Sequence, residues 1–203
     1  MKLYYSKGAC SLSVRILIHE MGLSAEFESV DLKTKKTETG ADYFQINPKG
    51  AVPGLLLDNN ELLTENIVIH QYLADTHKAT NLLPAFGDKK RYRVVEWLSY
   101  VSSDLHKSFG PFFNPDVPEE IKEKVFKPIL KRKFSAVEKQ LQSNPFLAGD
   151  HFTLPDAYLF VVLRWMPTVA KVNLSEFPKL ENYFSELKKR KSVQQALKEE
   201  NLS

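Results

Sequence analysis

The stretch KLYYSKGACSLSVRILIHEMGLSAEFESVDL, residues 2–32, carries three structural signals in succession. It opens on a short apolar run, KLYY. From Ser11 to Met21 the pattern turns helical, with Leu12, Ile16 and Leu17 at helical spacing and Gly22 placed as the C-terminal stop. EFESVDL then alternates with period two, which reads as a strand. A strand, a helix and a second strand in this order need a crossover, so the two strands are predicted to be parallel.

Downstream, LLLD and ELLT flank Asn59-Asn60, residues that tolerate positive φ, and predict an antiparallel hairpin. The spacing of Ile69, Tyr72 and Leu73 predicts a helix over Glu65 to Thr76, with Thr64 as its N-cap. The order β-α-β, a short irregular piece, then β-β-α implies a mixed four-stranded sheet of thioredoxin-like type. After LLPAFGD, residues 82–88, the strand signals stop. Helices are predicted over 88–109 and 118–142, with Pro128 bending or interrupting the second. Residues 154–166 are apolar nearly all round, as in a buried central helix, and two more helices fill 176–200. The expectation is α/β plus all-α: one domain over 1–81 and an all-helical domain over 87–203.

Composition narrows the function classes. The net charge of +3 comes from basic residues interspersed with acids, too weak an imbalance for a nucleic-acid binder. The single cysteine makes no internal disulfide, and the N-terminus lacks a secretory apolar stretch. AYLFVVL, residues 157–163, is far short of a bilayer span. A cytoplasmic protein with no membrane and no nucleic-acid partner is expected. The five histidines lack zinc-ligand spacing, and there is no P-loop, GxGxxG or GxSxG, so neither metal nor nucleotide cofactor is indicated.

Cys10, at the mouth of the first helix, is the leading chemical candidate. Free cysteine often packs as a small hydrophobe. Yet a sulfur at a helix N-terminus meets unpaired N–H groups and the positive end of the dipole, which favour thiolate. The dipole supplies at most about 2 kcal/mol and a good hydrogen bond about 1.5–3, so only both together bring a thiol to mostly thiolate at neutral pH. The helix mouth suits a thiolate, whether the protein's own or a ligand's. In CSLS a serine stands where a dithiol oxidoreductase has its second cysteine, which leaves only mixed-disulfide chemistry with an external thiol.

Other segments read two ways. Val52-Pro53 precedes a strand, where a cis bond would aim the Val52 backbone outward for an extended peptide. TEN, residues 64–66, fits an ordinary helix start, or a site in which Glu65 meets an ammonium and Asn66 a carboxylate. KTKK, residues 33–36, reads as a solvated loop unless it turns toward Cys10, which would make Lys35 a ligand contact. His106 and Lys107 lie on the polar side of a long helix. FTLPDAY, residues 152–158, fits a structural capping box with Thr153 as N-cap and Asp156 at N3.

Taken together, MKLYYSKGACSLS, VDLKTKKTETGADYFQINPKGAVPGLLLD, LLTEN, EWLSYVSSDLHKSF and FTLPDAYLFVVLRW resemble the cytosolic glutathione transferases of the bacterial beta class, over essentially the whole chain. The resemblance implies a homodimer that binds glutathione at a domain cleft and conjugates it to hydrophobic electrophiles, in the manner of detoxification, with glutathione as substrate and no cofactor. It places Cys10 beside the glutathione sulfur with Ser11 nearby, and pairs the Val52 backbone, before a cis-Pro53, with the cysteinyl part. It sets Lys35 at the glycine carboxylate, Glu65 and Asn66 at the γ-glutamyl end, His106 near the sulfur and Lys107 on a carboxylate. Cys10, Ser11 and His106 are the catalytic candidates. Phe109, Phe112, Phe113 and Trp165 are candidate walls of an electrophile pocket. Asn66 stands where the class commonly has Gly or Ser, and Arg15 replaces a common His. Two other readings are glutathione-dependent thiol–disulfide exchange or reductive dehalogenation through a Cys10 mixed disulfide, and a non-catalytic binding module.

Overall fold

The computed structural model of the chain describes residues 1–202. It divides into two compact units: Met1–Thr80 together with the stretch from Lys189, and Asn81–Lys188.

The first unit is built on β1 (Lys2–Tyr5), α1 (Leu12–Glu20), β2 (Glu26–Asp31), β3 (Lys36–Thr37), α2 (Tyr43–Ile46), β4 (Gly54–Leu56), β5 (Leu62–Thr64) and α3 (Asn66–Thr76). β1 runs parallel to β2 and β4 and β5 form the hairpin, as the sequence pattern requires, and the structure adds that β1 pairs antiparallel with β4. The sheet has five strands, in the order β3-β2-β1-β4-β5, where four were expected. The extra one comes from KTKK. The Asp31 carboxylate accepts from the N–H groups of Lys33 and Thr34, Lys35 takes a φ of 56°, and the chain folds back so that Lys36 and Thr37 pair with β2.

Side-chain alternation on β1 sends Leu3 to one face and Tyr4 to the other. On the first face Leu3 and Leu55 meet Val14 and Ile18 of α1 and Ile69 and Leu73 of α3. On the second, Tyr4 and Val30 meet Tyr43 and Val52.

The final helix, α10 (Lys191–Glu199), belongs to this unit and packs on α1, although the sequence reading put all of 87–203 in the helical domain. The reason is Arg15. It is only 3% exposed, and its guanidinium lies over the rings of Tyr5 (4.2 Å) and Phe27 (3.8 Å). A buried cation needs counter-charge. Glu199 (2.9 Å) and Glu200 (3.2 Å) supply it, and so bind the end of the chain to its beginning.

The second unit is helical. α4 (Lys89–Tyr100) continues through a π turn at Val101–Leu105 and a 3₁₀ turn at His106–Phe109 into α5 (Gly110–Phe113). α6 (Glu119–Ile121) leads through a second π turn, Lys122–Phe126, into α7 (Lys127–Ser143). Pro128 has no N–H to offer, and next to it the ladder slips: Lys127 N–H bonds to the carbonyl of Lys122, five residues back. α8 (Leu154–Thr168) is buried on nearly every side, and α9 (Pro178–Lys188) follows a short 3₁₀ turn. Among the described residues no helix is long and apolar enough to cross a membrane.

Candidate active site

Cys10 sits two residues before the first residue of α1, at the end of the loop that leaves β1. The loop closes in tight turns, Ala9 N–H to Ser6 O (3.0 Å) and Leu12 N–H to Ala9 O (3.0 Å). The Ser11 hydroxyl ties the same loop, accepting from Ser6 N–H (3.2 Å) and donating to Ser6 O (3.4 Å). It therefore makes no cap bond to its own helix. Further back, Gly8 N–H donates to the Glu200 carboxylate at 2.8 Å.

These bonds leave the N–H groups of Cys10 and Ser11 with no oxygen partner among the described residues. Both favour a charged Cys10 sulfur, as does the Asn66 side chain, but burial outweighs them and pushes the thiol up to about 11. The protein's own sulfur is accordingly a neutral thiol, which donates to Val52 O at 3.3 Å. The dipole and amides do not make Cys10 itself a thiolate in this fold.

Val52 follows the turn at Asn47–Gly50 and precedes β4, and its bond to Pro53 is cis. Tyr43 Oη (3.0 Å) and Asn47 Nδ2 (2.7 Å) both donate to Ala51 O and hold the segment from behind. Val52 N–H donates to no described group. Lys35 does turn inward, donating to Gly50 O at 2.8 Å.

At α3 the N-cap is Glu65, one residue later than predicted, and its φ is 72°. A glutamate rarely adopts a left-handed backbone unless its surroundings impose it, and such residues cluster at functional sites. Its side chain is exposed and pairs with Lys49 (2.8 Å), whose ammonium also donates to Thr64 Oγ1 (3.0 Å). Asn66 is buried, and its Oδ1 accepts from Ser13 Oγ (3.3 Å), which also donates to Cys10 O (2.7 Å) and meets His70 Nε2 (3.0 Å). Burial lowers His70 to about 3, so this network is uncharged on the histidine side. The N–H groups of Asn66 and Ile67 have no described acceptor. Cys10 thus bonds directly to Val52 and is linked to Asn66 through Ser13, while Lys35 bonds to Gly50, two residues before Val52.

In the helical unit, His106 follows the first π turn and is half-buried, with its Nδ1 2.5 Å from Tyr158 Oη. Its ring lies edge-on to Trp165 at 4.9 Å. Burial first, and the neighbouring Lys107 charge second, lower His106 to about 4. Lys107 is exposed and makes no ion pair with described residues. The four aromatic candidates form one cluster: Phe109 touches Phe112 (6.2 Å) and Trp165 (5.5 Å), and Phe113 stands edge-on to Trp165 (5.3 Å). They differ in access. Phe109 is wholly buried against Phe134 and forms a floor, whereas Phe113 is 53% exposed.

Three groups at these places were not singled out from the sequence: Lys49, Glu200 and Tyr158. Lys49 lies in a turn otherwise read for its proline and glycine. Glu200 lies at the far end of the chain from Gly8. Tyr158 sits in the apolar run of α8, where a lone hydroxyl in need of a partner was the available signal. Among the described residues no three His, Cys, Asp or Glu side chains are grouped to hold a metal.

Family models match in two places: the N-terminal domain of glutathione S-transferase over residues 1–75 and its C-terminal domain over residues 100–191. The glutathione S-transferase GstA of Escherichia coli O157:H7 is 45% identical over 202 residues, covering 100% of both chains. A sphingomonad glutathione S-transferase solved in complex with glutathione superposes with a TM-score of 0.94 at 40% identity, covering 100% of each chain. A bacterial beta-class glutathione S-transferase of Sphingomonas chungbukensis gives 0.95 at 40% identity, again over 100% of each chain.

Proposed function

The chain belongs to the glutathione S-transferase family, and we propose that it conjugates glutathione to hydrophobic electrophiles on the surface formed by Cys10, Val52 and Asn66. The carrying observation is a set of N–H groups without an oxygen partner among the described residues: those of Cys10 and Ser11, which face the buried Cys10 sulfur, and those of Val52, Asn66 and Ile67. Glutathione is an extended peptide with a sulfur in the middle and carboxylates at its ends. The Val52 N–H offers strand-like pairing to the cysteinyl part. The amides at the start of α3 suit the γ-glutamyl carboxylate and Glu65 its ammonium, while Lys35 is the cation for the glycine carboxylate.

The Cys10 and Ser11 amides then act on the guest sulfur. If they and the dipole recover about 2 kcal/mol, the thiolate population at pH 7 rises by one to two orders of magnitude. The thiolate attacks the electrophilic carbon, a carbon–sulfur bond forms, the leaving group departs with its electron pair, and the thiol proton goes to solvent. His106 and Lys107 are assigned to the same substrate, His106 to its sulfur and Lys107 to a carboxylate. Phe112, Phe113 and Trp165, over Phe109, are assigned to the electrophile. Exposed Phe44 (46%), Phe86 (89%) and Tyr92 (56%) supply apolar surface consistent with a homodimer. Cytoplasmic detoxification is the setting we assign.

The neutral, buried Cys10 favours conjugation over a Cys10 mixed-disulfide cycle, because the thiol is not poised as a nucleophile. Cys10→Ala is therefore expected to keep a measurable part of its activity on a chloro-nitroaromatic acceptor. Full loss of that activity, with disulfide exchange present in wild type, would move the assignment to the Cys10 cycle. Ultraviolet titration of bound glutathione provides the direct check: a guest thiol that ionises no more readily than in buffer would overturn the reading.

A further inference from the structure

A histidine that serves as base or cation in an active site is often held at its second nitrogen by an acceptor, a carboxylate or a backbone carbonyl, and a carboxylate there stabilises the imidazolium. Among the described residues His106 has no such partner. Its Nδ1 faces the hydroxyl of Tyr158 at 2.5 Å, a phenol that is 1% exposed on α8, and its ring is fixed edge-on between Tyr158 (5.8 Å) and Trp165 (4.9 Å). Its Nε2 bonds to no described group. Of the two ways to share one proton across this contact, the phenol is the better donor and the imine nitrogen the better acceptor.

We propose that Tyr158 is a positioning residue whose hydroxyl donates to Nδ1 of His106, which keeps the ring proton on Nε2 and makes His106 a neutral N–H donor. This rests on the assignment of His106 to the glutathione sulfur. A donor of this kind stabilises a developing thiolate but cannot accept the thiol proton: Nδ1 is occupied by the phenol and Nε2 already carries hydrogen. The low proton affinity of His106, held to about 4 by burial and by Lys107, acts in the same direction and keeps the ring neutral at pH 7. A nearby carboxylate would have done the opposite. His106 is thereby assigned the part of a sulfur-stabilising donor and not of a general base, and the substrate proton leaves by way of solvent.

The experiment is two-bond ¹⁵N–¹H correlation on the full-length protein with ¹⁵N-labelled histidine at pH 7, with the His106 signals assigned by their loss in His106→Gln. Wild type is expected to show an unprotonated Nδ1 and a protonated Nε2, and Tyr158→Phe a mixture of tautomers. Steady-state kinetics form the second arm. Tyr158→Phe is expected to lower kcat by about three- to tenfold, the worth of one hydrogen bond, with KM for glutathione nearly unchanged. In the His106→Gln background the same substitution should cost less than about twofold, because the group it positions is gone. Protonation of Nδ1 in wild type overturns the proposal, as does an equal loss in both backgrounds or a His106→Gln variant of full activity. The wild-type spectrum decides the tautomer even if Tyr158→Phe does not fold. Wild type that turns over no electrophile would instead defeat the functional reading, and leaves the tautomer still measurable.

Discussion

Two helices of this chain begin in opposite ways. α8 starts closed. Its Asp156 carboxylate, fully buried, accepts from Thr153 N–H (2.7 Å), Thr153 Oγ1 (2.8 Å), Leu147 N–H (3.0 Å) and Tyr183 Oη (2.5 Å). α1 starts open: Ser11 spends its hydroxyl on Ser6, and the amides of residues 10 and 11 have no oxygen partner among the described residues. Both ends obey the rule that a helix N-terminus needs acceptors. One finds them within the chain, and the other is where the proposed glutathione sulfur would supply the negative charge. Damage to the closed end should therefore appear in stability, and damage to the open end in activity. The largest effect is expected at Asp156. Asp156→Ala strands up to four buried donors, and chemical denaturation should show a loss of about 3–5 kcal/mol. A loss under about 1 kcal/mol would mean that the closed end is not what holds this helix.

At the open end, the sulfur of Cys10 supplies the next test. With its thiol lifted from 9.0 to about 11, alkylation of Cys10 by iodoacetamide at pH 8 should run about a hundredfold slower than that of a free thiol. A rate equal to that of a free thiol would show the open end already holding a thiolate without a guest. His70, bonded to Ser13 of α1, tests the same region by acid. Burial lowers it from 6.5 to about 3, so the unfolded chain binds the extra proton and stability falls as pH drops below 6.5. Between pH 7 and pH 5 this one group should account for about 2 kcal/mol. His70→Gln should flatten that part of the wild-type stability curve, and an unchanged slope would remove His70 as the cause.

The closed end was legible in the sequence and the open one only in part. FTLPDAY states its capping box within four residues, and KLYY, EFESVDL and the Asn59-Asn60 turn state individual strands and one hairpin, because each of these signals is local; the order of strands in the sheet is not. The start of α3 was placed one residue early because Glu65 adopts a backbone that its own preferences oppose, and only the surrounding fold imposes it. The return of α10 to the first unit was hidden for another reason. Arg15 in an apolar helix signals a missing anion, but nothing nearby in the chain says that Glu199 and Glu200 provide it. Cys10 showed the limit most clearly. Its place at a helix mouth was visible, whereas the burial that keeps it a thiol depends on residues contributed by the rest of the fold.

Ser11 gives the smallest effect and divides the two kinds of end most finely. The resemblance makes it a catalytic candidate, yet its hydroxyl is wholly buried and closes a loop, so only its N–H faces the sulfur side. Ser11→Ala removes two long hydrogen bonds, at 3.2 and 3.4 Å, and keeps the amide. Denaturation should register about 1 kcal/mol, within the range for such bonds. Conjugation should fall only as far as the slackened loop misplaces the Cys10 and Ser11 amides, and KM for glutathione should move more than kcat. A kcat loss of about a hundredfold with stability intact would place the hydroxyl itself at the reacting sulfur. That result would end the difference between the two helix starts, since the open end would then carry its own side-chain donor and not depend on the main chain alone.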